Sequence, residues 1–177
     1  VLTEILQSDM ENIRGTMESL DKDTFSMAAE LIQNAKKIYI VGIRSCEPLA
    51  DFLGFYLNML FDEVHVVRTN SASEIFEQLM RIGAGDVLIG ISFPKYSMRT
   101  VKAMELANSR SAGVISITDS IHSPLNLYSS CNLIARSEMA SVVDSLTAPL
   151  SVINALIVAL CLKNQDSLKQ SIETLDQ

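Results

Sequence analysis

Turn-forming residues are scarce: the 177-residue chain holds seven glycines and four prolines. That scarcity excludes collagenous and low-complexity chains and disfavours an all-β fold with many tight turns. Charge is sparse too, at 20% of residues against 48% apolar, which excludes intrinsic disorder. Basic charge is the scarcer sign, with 14 Lys and Arg against 21 Asp and Glu, a net charge of −7, and no stretch that concentrates it. Without a basic patch the chain lacks the counterion-releasing footprint that grips nucleic acid, so no DNA contact is expected from this chain itself.

Cysteine is limited to Cys46, Cys131 and Cys161, an odd number, far apart, with no C-x-x-C pair and no neighbouring His cluster. Neither a disulfide framework nor a metal site is expected, and the compartment reads as reducing cytoplasm. The chain begins at Val1 with no basic, then apolar, leader; Glu4, Asp9 and Glu11 fall among its first apolar residues. It reads as a piece of a longer protein. One uncharged run, residues 146–162, is 17 residues long, at the lower limit for crossing a bilayer, and Thr147, Pro149, Ser151 and Asn154 interrupt it. It is expected to be a core or subunit-interface helix, with no membrane partner.

Apolar residues recur at helical spacing at Leu2, Ile5, Leu6, Met10, Ile13, Met17 and Leu20, and again at Phe25, Ala28, Ala29, Ile32 and Ala35 behind Thr24 as an N-cap. Two helices therefore precede the first strand. From there, short aliphatic runs at 38–43, 64–67, 87–92, 114–118 and 133–135 alternate with helical stretches at 48–60, 73–82 and 98–112 and a short turn after Pro124. Pro48 at a first helical position, Ser71 with Glu74 at capping-box spacing, and Ser97 ahead of Met98 mark helix starts. Asp144 or Ser145 is expected to cap the long apolar helix, and Leu168, Ile172 and Leu175 predict a last amphipathic one. The alternation predicts an α/β fold: a three-layer, doubly wound, flavodoxin-like parallel sheet of five strands, order 2-1-3-4-5, with helical N- and C-terminal extensions. Residues 1–34 are expected to be connector and oligomerisation helices, and 35–177 the α/β domain.

In that strand order the topological switch lies between strands 1 and 3, where a crevice opens at the carboxyl ends. The two loops there read Gly42-Ile43-Arg44-Ser45-Cys46-Glu47 and Ser92-Phe93-Pro94-Lys95-Tyr96-Ser97, each leading into a helix. Hydroxyls and free N–H groups at helix N-termini, with Arg44 and Lys95 nearby, suit a small anion such as phosphate. The competing reading is of ordinary strand-to-helix turns, in which Ser is a common N-cap. The first loop has only Gly42 where a dinucleotide fingerprint needs three glycines, and no phosphate-binding P-loop is present, so no nucleotide or other cofactor is expected.

Residues 38–47, 92–100, 117–125 and 144–156 together resemble a sugar isomerase (SIS) domain, a likeness covering most of 35–162. The phrases VGIRSCEPLADFLGFYLN, ISFPKYSMRTVKAMELA and DSLTAPLSVINALI further resemble the effector-binding half of RpiR/MurR-family bacterial transcription regulators. The resemblance implies a domain that senses a phosphosugar and forms a homodimer or tetramer. It also implies that DNA is reached only through an N-terminal helix-turn-helix domain absent from this chain. Carried over by position, Ser45, Ser92 and Ser97 keep the hydroxyls that such domains direct at the sugar phosphate. Pro94 occupies a further hydroxyl position and has no N–H, and Lys95 replaces the usual glycine, so the phosphate cradle is partly dismantled.

Isomerisation of a sugar phosphate needs a positioned base, for which Glu138, His122 and Asp144 are the candidates. Glu138 lies where catalytic SIS domains carry an acidic residue, but it serves equally well to bind sugar hydroxyls or as a solvated loop carboxylate, and His122, in a loop rich in turn formers, is expected to face solvent. The expectation is a non-catalytic sensor binding a sugar phosphate or related derivative through Arg44, Ser45, Ser92, Lys95, Tyr96, Ser97 and Glu138. The alternatives are a stand-alone sugar-phosphate isomerase and a degenerate pocket for an unphosphorylated sugar. Asp119 is expected to cap the next turn, His65 to be a packing or edge residue, and Met59, Met80 and Met104 to fill the core. Cys46 lies near a helix start, which favours a lowered pKa, but with no His close by in sequence a redox or catalytic role is not expected of it.

Overall fold

The computed structural model describes residues 1–68, 71–139 and 141–176. Five strands, β1 (Ile38–Gly42), β2 (Val64–Val67), β3 (Val87–Ile91), β4 (Gly113–Thr118) and β5 (Cys131–Ile134), form one parallel sheet in the order β2-β1-β3-β4-β5. Ile38 pairs with Val64 on one side and Val87 on the other, while Val87 pairs with Gly113 and Ile115 with Cys131. β1 and β3 are buried along their whole length, as a sheet covered on both faces requires. The edge strand β2 is exposed at His65, whose ring lies 5.2 Å from that of Tyr39 and bonds Glu63 at 2.9 Å.

Alternation along β1 divides the core. Ile38 and Ile40 pack with Leu53, Leu57, Ile153 and Leu156 on one face, Tyr39 and Val41 with Ile75, Leu79, Val101 and Met104 on the other. The first layer consists of α2 (Lys22–Gln33), α3 (Glu47–Leu60) and α6 (Thr147–Lys163), flanked by α1 (Leu2–Ser19) and α7 (Gln165–Leu175). The second consists of α4 (Ala72–Gln78) and α5 (Met98–Ser109). Each fully buried Leu or Ile adds roughly 1.5–3 kcal/mol, so these two apolar layers are the main source of stability. At Gly54 a Cβ would run into Val66 Cγ2, so only a glycine lets α3 lie this close to β2.

Several element ends differ from the sequence expectation. Asp21, not Thr24, caps α2, accepting from the Asp23 N–H at 3.1 Å, and the Thr24 hydroxyl donates to the same carboxylate. Neither Asp144 nor Ser145 caps α6, which begins at Thr147 without a side-chain cap. Instead the Ser145 hydroxyl donates to Asp9 on α1 at 2.5 Å. α4 stops at Gln78, short of 82, and Met80 beyond it is 62% exposed rather than core, whereas Met104 is fully buried. α5 stops at Ser109, where Ala112 N–H bonds the Ala107 carbonyl and Ser111 N–H bonds that of Asn108. α6 is buried on one face only; Val158 and Leu162 on the other are exposed.

The first helix is turned around relative to a core helix. Its buried residues are Asn12, Gly15 and Thr16, while Leu2, Leu6, Met10 and Met17 are exposed. The inward face is polar because it meets backbone instead of apolar side chains. Asn12 Nδ2 donates to the Glu138 carbonyl at 2.7 Å, and the Arg136 N–H donates to Thr16 Oγ1 at 2.9 Å. Gly15 leaves room for the Arg136 guanidinium, which a Cβ would meet at 2.6 Å. Beside these residues α1, α2 and α6 enclose an apolar groove of about 380 Å³, lined by Ile13, Met17, Leu20, Phe25, Val152 and Ala155 among others.

Candidate functional site

Parallel strands deliver their following loops to one edge, and here the loops after β1 and β3 leave toward opposite layers. After β1 the chain doubles back into a short 3-10 turn (Arg44–Cys46); a Cβ on Gly42 would lie 2.5 Å from the Cys46 carbonyl oxygen. Arg44 takes a left-handed backbone, φ 57°, with its side chain and that of Ser45 exposed. After β3, Ser92 is buried and its Oγ accepts the Ser97 N–H at 3.0 Å, drawing the loop closed. Ser97 caps α5 by accepting the Thr100 N–H at 3.5 Å. Lys95, at the position that the family resemblance assigns to glycine, is also left-handed, φ 63°. A Lys forced into that region is strained, so the turn is fixed by its surroundings and not by the residue's own preference.

Two polar cavities open at this edge. One, about 200 Å³, lies toward β2 and is lined by Gly42, Ile43, Arg44, Glu47, Val67, Arg68 and Arg99. The other, about 240 Å³, lies toward β5 and is lined by Pro94, Asp119, Arg136, Ser137, Glu138, Met139, Ser141, Val143 and Asp144. Of the candidate site residues named from sequence, Arg44 lines the first and Glu138 and Asp144 the second. Ser92 and Ser97 are engaged within the loop between them, and Tyr96 bridges outward, its hydroxyl donating to Asp119 Oδ1 at 2.6 Å. The exposed Glu138 is held by its carbonyl, which accepts from Asn12 and, at 3.4 Å, from Ser8.

Burial pushes the Tyr96 phenol up to about 12, reinforced by the hydrogen bond to Asp119 and the charge there. Burial also raises the Asp144 carboxyl, Asp119 adds to the rise, and Lys95 opposes it. Lys95 therefore acts on the acidic cavity. Asp119 does not cap the turn after β4; Ser120 and Ser123 do that, accepting the N–H groups of His122 and Leu125. His122 is exposed. Cys46 is buried, and burial raises its thiol to about 11, outweighing the lowering that a helix start would give. Arg68, Arg99 and Arg136 were not anticipated. Arg99 follows Ser97 by two residues and was legible as a cation in the first turn of α5; Arg68 and Arg136 reach the edge only through the fold.

The model of the SIS domain matches residues 31–159. The chain belongs to the SIS domain family. An uncharacterised HTH-type transcriptional regulator of Caldanaerobacter subterraneus is 27% identical over 100% of this SIS chain and 64% of its own length. The chain spans about three fifths of the length of the curated relatives it matches. Among solved structures, the sugar isomerase domain of an RpiR transcription factor from Sphaerobacter thermophilus superposes with a TM-score of 0.94 at 23% identity, covering 99% of this chain and 98% of that one. The Vibrio vulnificus NanR protein complexed with ManNAc-6P superposes with a TM-score of 0.86 at 19% identity, covering 99% and 69%. A phosphoheptose isomerase from Neisseria gonorrhoeae shares the fold as well, with a TM-score of 0.75. These likenesses establish a common fold. Among the described residues no single helix is long and apolar enough to cross a membrane.

Proposed function

We propose that this SIS domain is the effector-binding part of a bacterial transcription regulator, acting in the cytoplasm, binding a sugar phosphate and passing that state to a DNA-binding domain outside the chain. The observation that carries this reading is the cavity lined by Arg44, Arg68 and Arg99 beside the start of α5, in a chain whose net charge is −7. The HTH-type names of the relatives and the ligand named for NanR support it. Ser45, Ser92, Lys95, Tyr96 and Ser97 shape the mouth between the cavities, and Arg44 and Glu138 reach into them. The exposed apolar stripe of α1 and the groove beside α6 are where a second subunit would pack, residues 1–34 serving as connector helices. A ligand can switch such an assembly only through a difference in affinity between its states.

Thermal unfolding with a panel of sugar phosphates and the matching free sugars tests this reading. A true effector at a hundred times its Kd stabilises by about 2.7 kcal/mol. Stabilisation by one phosphate ester and not by its parent sugar is expected; equal stabilisation by both, or by none of the panel, would overturn the reading. The second reading, an isomerase, is favoured by one observation: the raised carboxyl of Asp144 at a cavity wall is the kind of group that serves as an acid or base. Turnover of an aldose phosphate, lost in both Asp144→Asn and Glu138→Gln, would put the isomerase first.

A further inference from the structure

The cavity between Arg44, Arg68 and Arg99 collects three of the chain's seven arginines around about 200 Å³. Arg68 is held there by ion pairs, Nη2 lying 2.8 Å from Asp51 Oδ1 and Nη1 3.8 Å from Glu47 Oε1. Among the described residues Arg44 and Arg99 make no ion pair. Both also sit where local preference opposes them. Arg44 occupies a left-handed backbone, and Arg99 places a cation in the first turn of α5, against the positive end of the helix dipole. An anion between them relieves the repulsion among the guanidinium groups and meets the helix end with the favourable sign.

The serine loop is poorly placed to do this alone. The Ser97 N–H is taken by Ser92 Oγ, the Thr100 N–H by Ser97 Oγ, and Pro94 offers no N–H, so the loop keeps the hydroxyl protons of Ser92 and Ser97 but few backbone donors for an anion. We infer that the phosphate of the effector is held as a dianion by Arg44 and Arg99, oriented by the ion-paired Arg68, in the cavity toward β2, and not by the serine loop alone. The inference rests on the phosphate-sensing reading and assigns its anionic end. A phosphate ester passes from one to two charges near pH 6, so binding strengthens as pH rises through that value.

The test uses two probes on the intact chain. Inorganic phosphate is titrated into isotopically labelled protein while the guanidinium Nε–H signals of Arg44 and Arg99 are followed. Saturable shifts at both, lost in Arg99→Gln, are expected; shifts confined to the 92–97 amides, or none, would overturn the inference. In parallel, the sugar phosphate that best stabilises the protein is titrated calorimetrically. Arg99→Gln and Arg44→Gln are each expected to weaken it by about tenfold or more, with Arg99→Lys recovering part of the loss and Arg81→Gln changing nothing. A sugar phosphate that binds both glutamine variants at wild-type affinity sinks the arginine site and leaves the sensor reading standing. Phosphate shifts at the arginines without stabilisation by any sugar phosphate do the reverse.

Discussion

The Tyr96 hydroxyl donates to Asp119 Oδ1 at 2.6 Å, fastening the loop after β3 to the loop after β4. Both groups are half-buried, so deleting the donor leaves a carboxylate short of a partner, and Tyr96→Phe is expected to cost about 1–3 kcal/mol. The pH dependence has a definite sign. Burial first and the bond to Asp119 second hold the folded-state phenol near 12 against about 10 in the unfolded chain, so the stability tied to the protonated phenol is complete below pH 10. It is lost as pH rises from 10 toward 12, because the unfolded state ionises first. Urea unfolding at pH 8, 10 and 11 should give a shallower alkaline decline for Tyr96→Phe; parallel curves would show that the bond does not couple to stability.

The polar face of α1 predicts a local effect. Thr16→Ala removes the acceptor for the Arg136 N–H, and Asn12→Ala the donor to the Glu138 carbonyl. Each should cost about 1 kcal/mol. Because both bonds hold the segment that lines the cavity toward β5, amide exchange at Arg136 should speed up in Thr16→Ala while the β3 and β4 amides keep their protection. Unchanged exchange at Arg136 would mean that the segment stands without the helix.

Ser111 is the left-handed residue, φ 63°, of a Schellman ending on α5, with both of its characteristic hydrogen bonds in place. Glycine removes the Cβ penalty there at some cost in unfolded-state entropy, so Ser111→Gly is expected to gain about 0.5–1 kcal/mol, a rise in Tm of about 1–4 °C. Calorimetry decides it, and a fall in Tm would mean that the serine side chain contributes more than the strain removes.

Lys95→Gly relieves strain at the same φ but removes the charge that lowers the Asp144 carboxyl. That carboxyl already lies above its ordinary value, and without Lys95 it should rise further, keeping its proton to higher pH. Carboxyl-carbon NMR titration of Asp144 in the two proteins measures the difference. An unmoved titration would separate Lys95 from the acidic cavity.

The strands and the sheet order were legible because a sheet covered on both faces needs aliphatic runs such as residues 87–91 between helix-period stretches, and little else in a soluble chain has that pattern. Helix ends were less legible wherever two hydroxyls or carboxylates compete. Asp21 and Thr24 both have N-cap chemistry, and only the backbone shows that Asp21 accepts from Asp23. At Ser145 the tertiary partner Asp9 outbids the local helix start. The loops at the switch point were found from residue type and order alone. Arg68 and Arg136 could not be, since each is brought to the edge by a strand whose neighbours in space lie far away in sequence.

Thr100 gives a last prediction, of opposite sign to most. It is fully buried in the first turn of α5, and among the described residues its Oγ1 has no hydrogen-bond partner. A buried hydroxyl without a partner costs about 1–3 kcal/mol, and valine has nearly the same shape without that penalty. Thr100→Val should therefore raise stability by about 1 kcal/mol, seen as a higher urea midpoint at unchanged slope. Thr100 is tied to the 92–97 loop through its backbone N–H, which Ser97 caps. A valine variant that gains stability but loses affinity for the stabilising sugar phosphate would show the exchange of stability for function expected of a binding site, whereas a less stable variant would mean that the hydroxyl already has a partner.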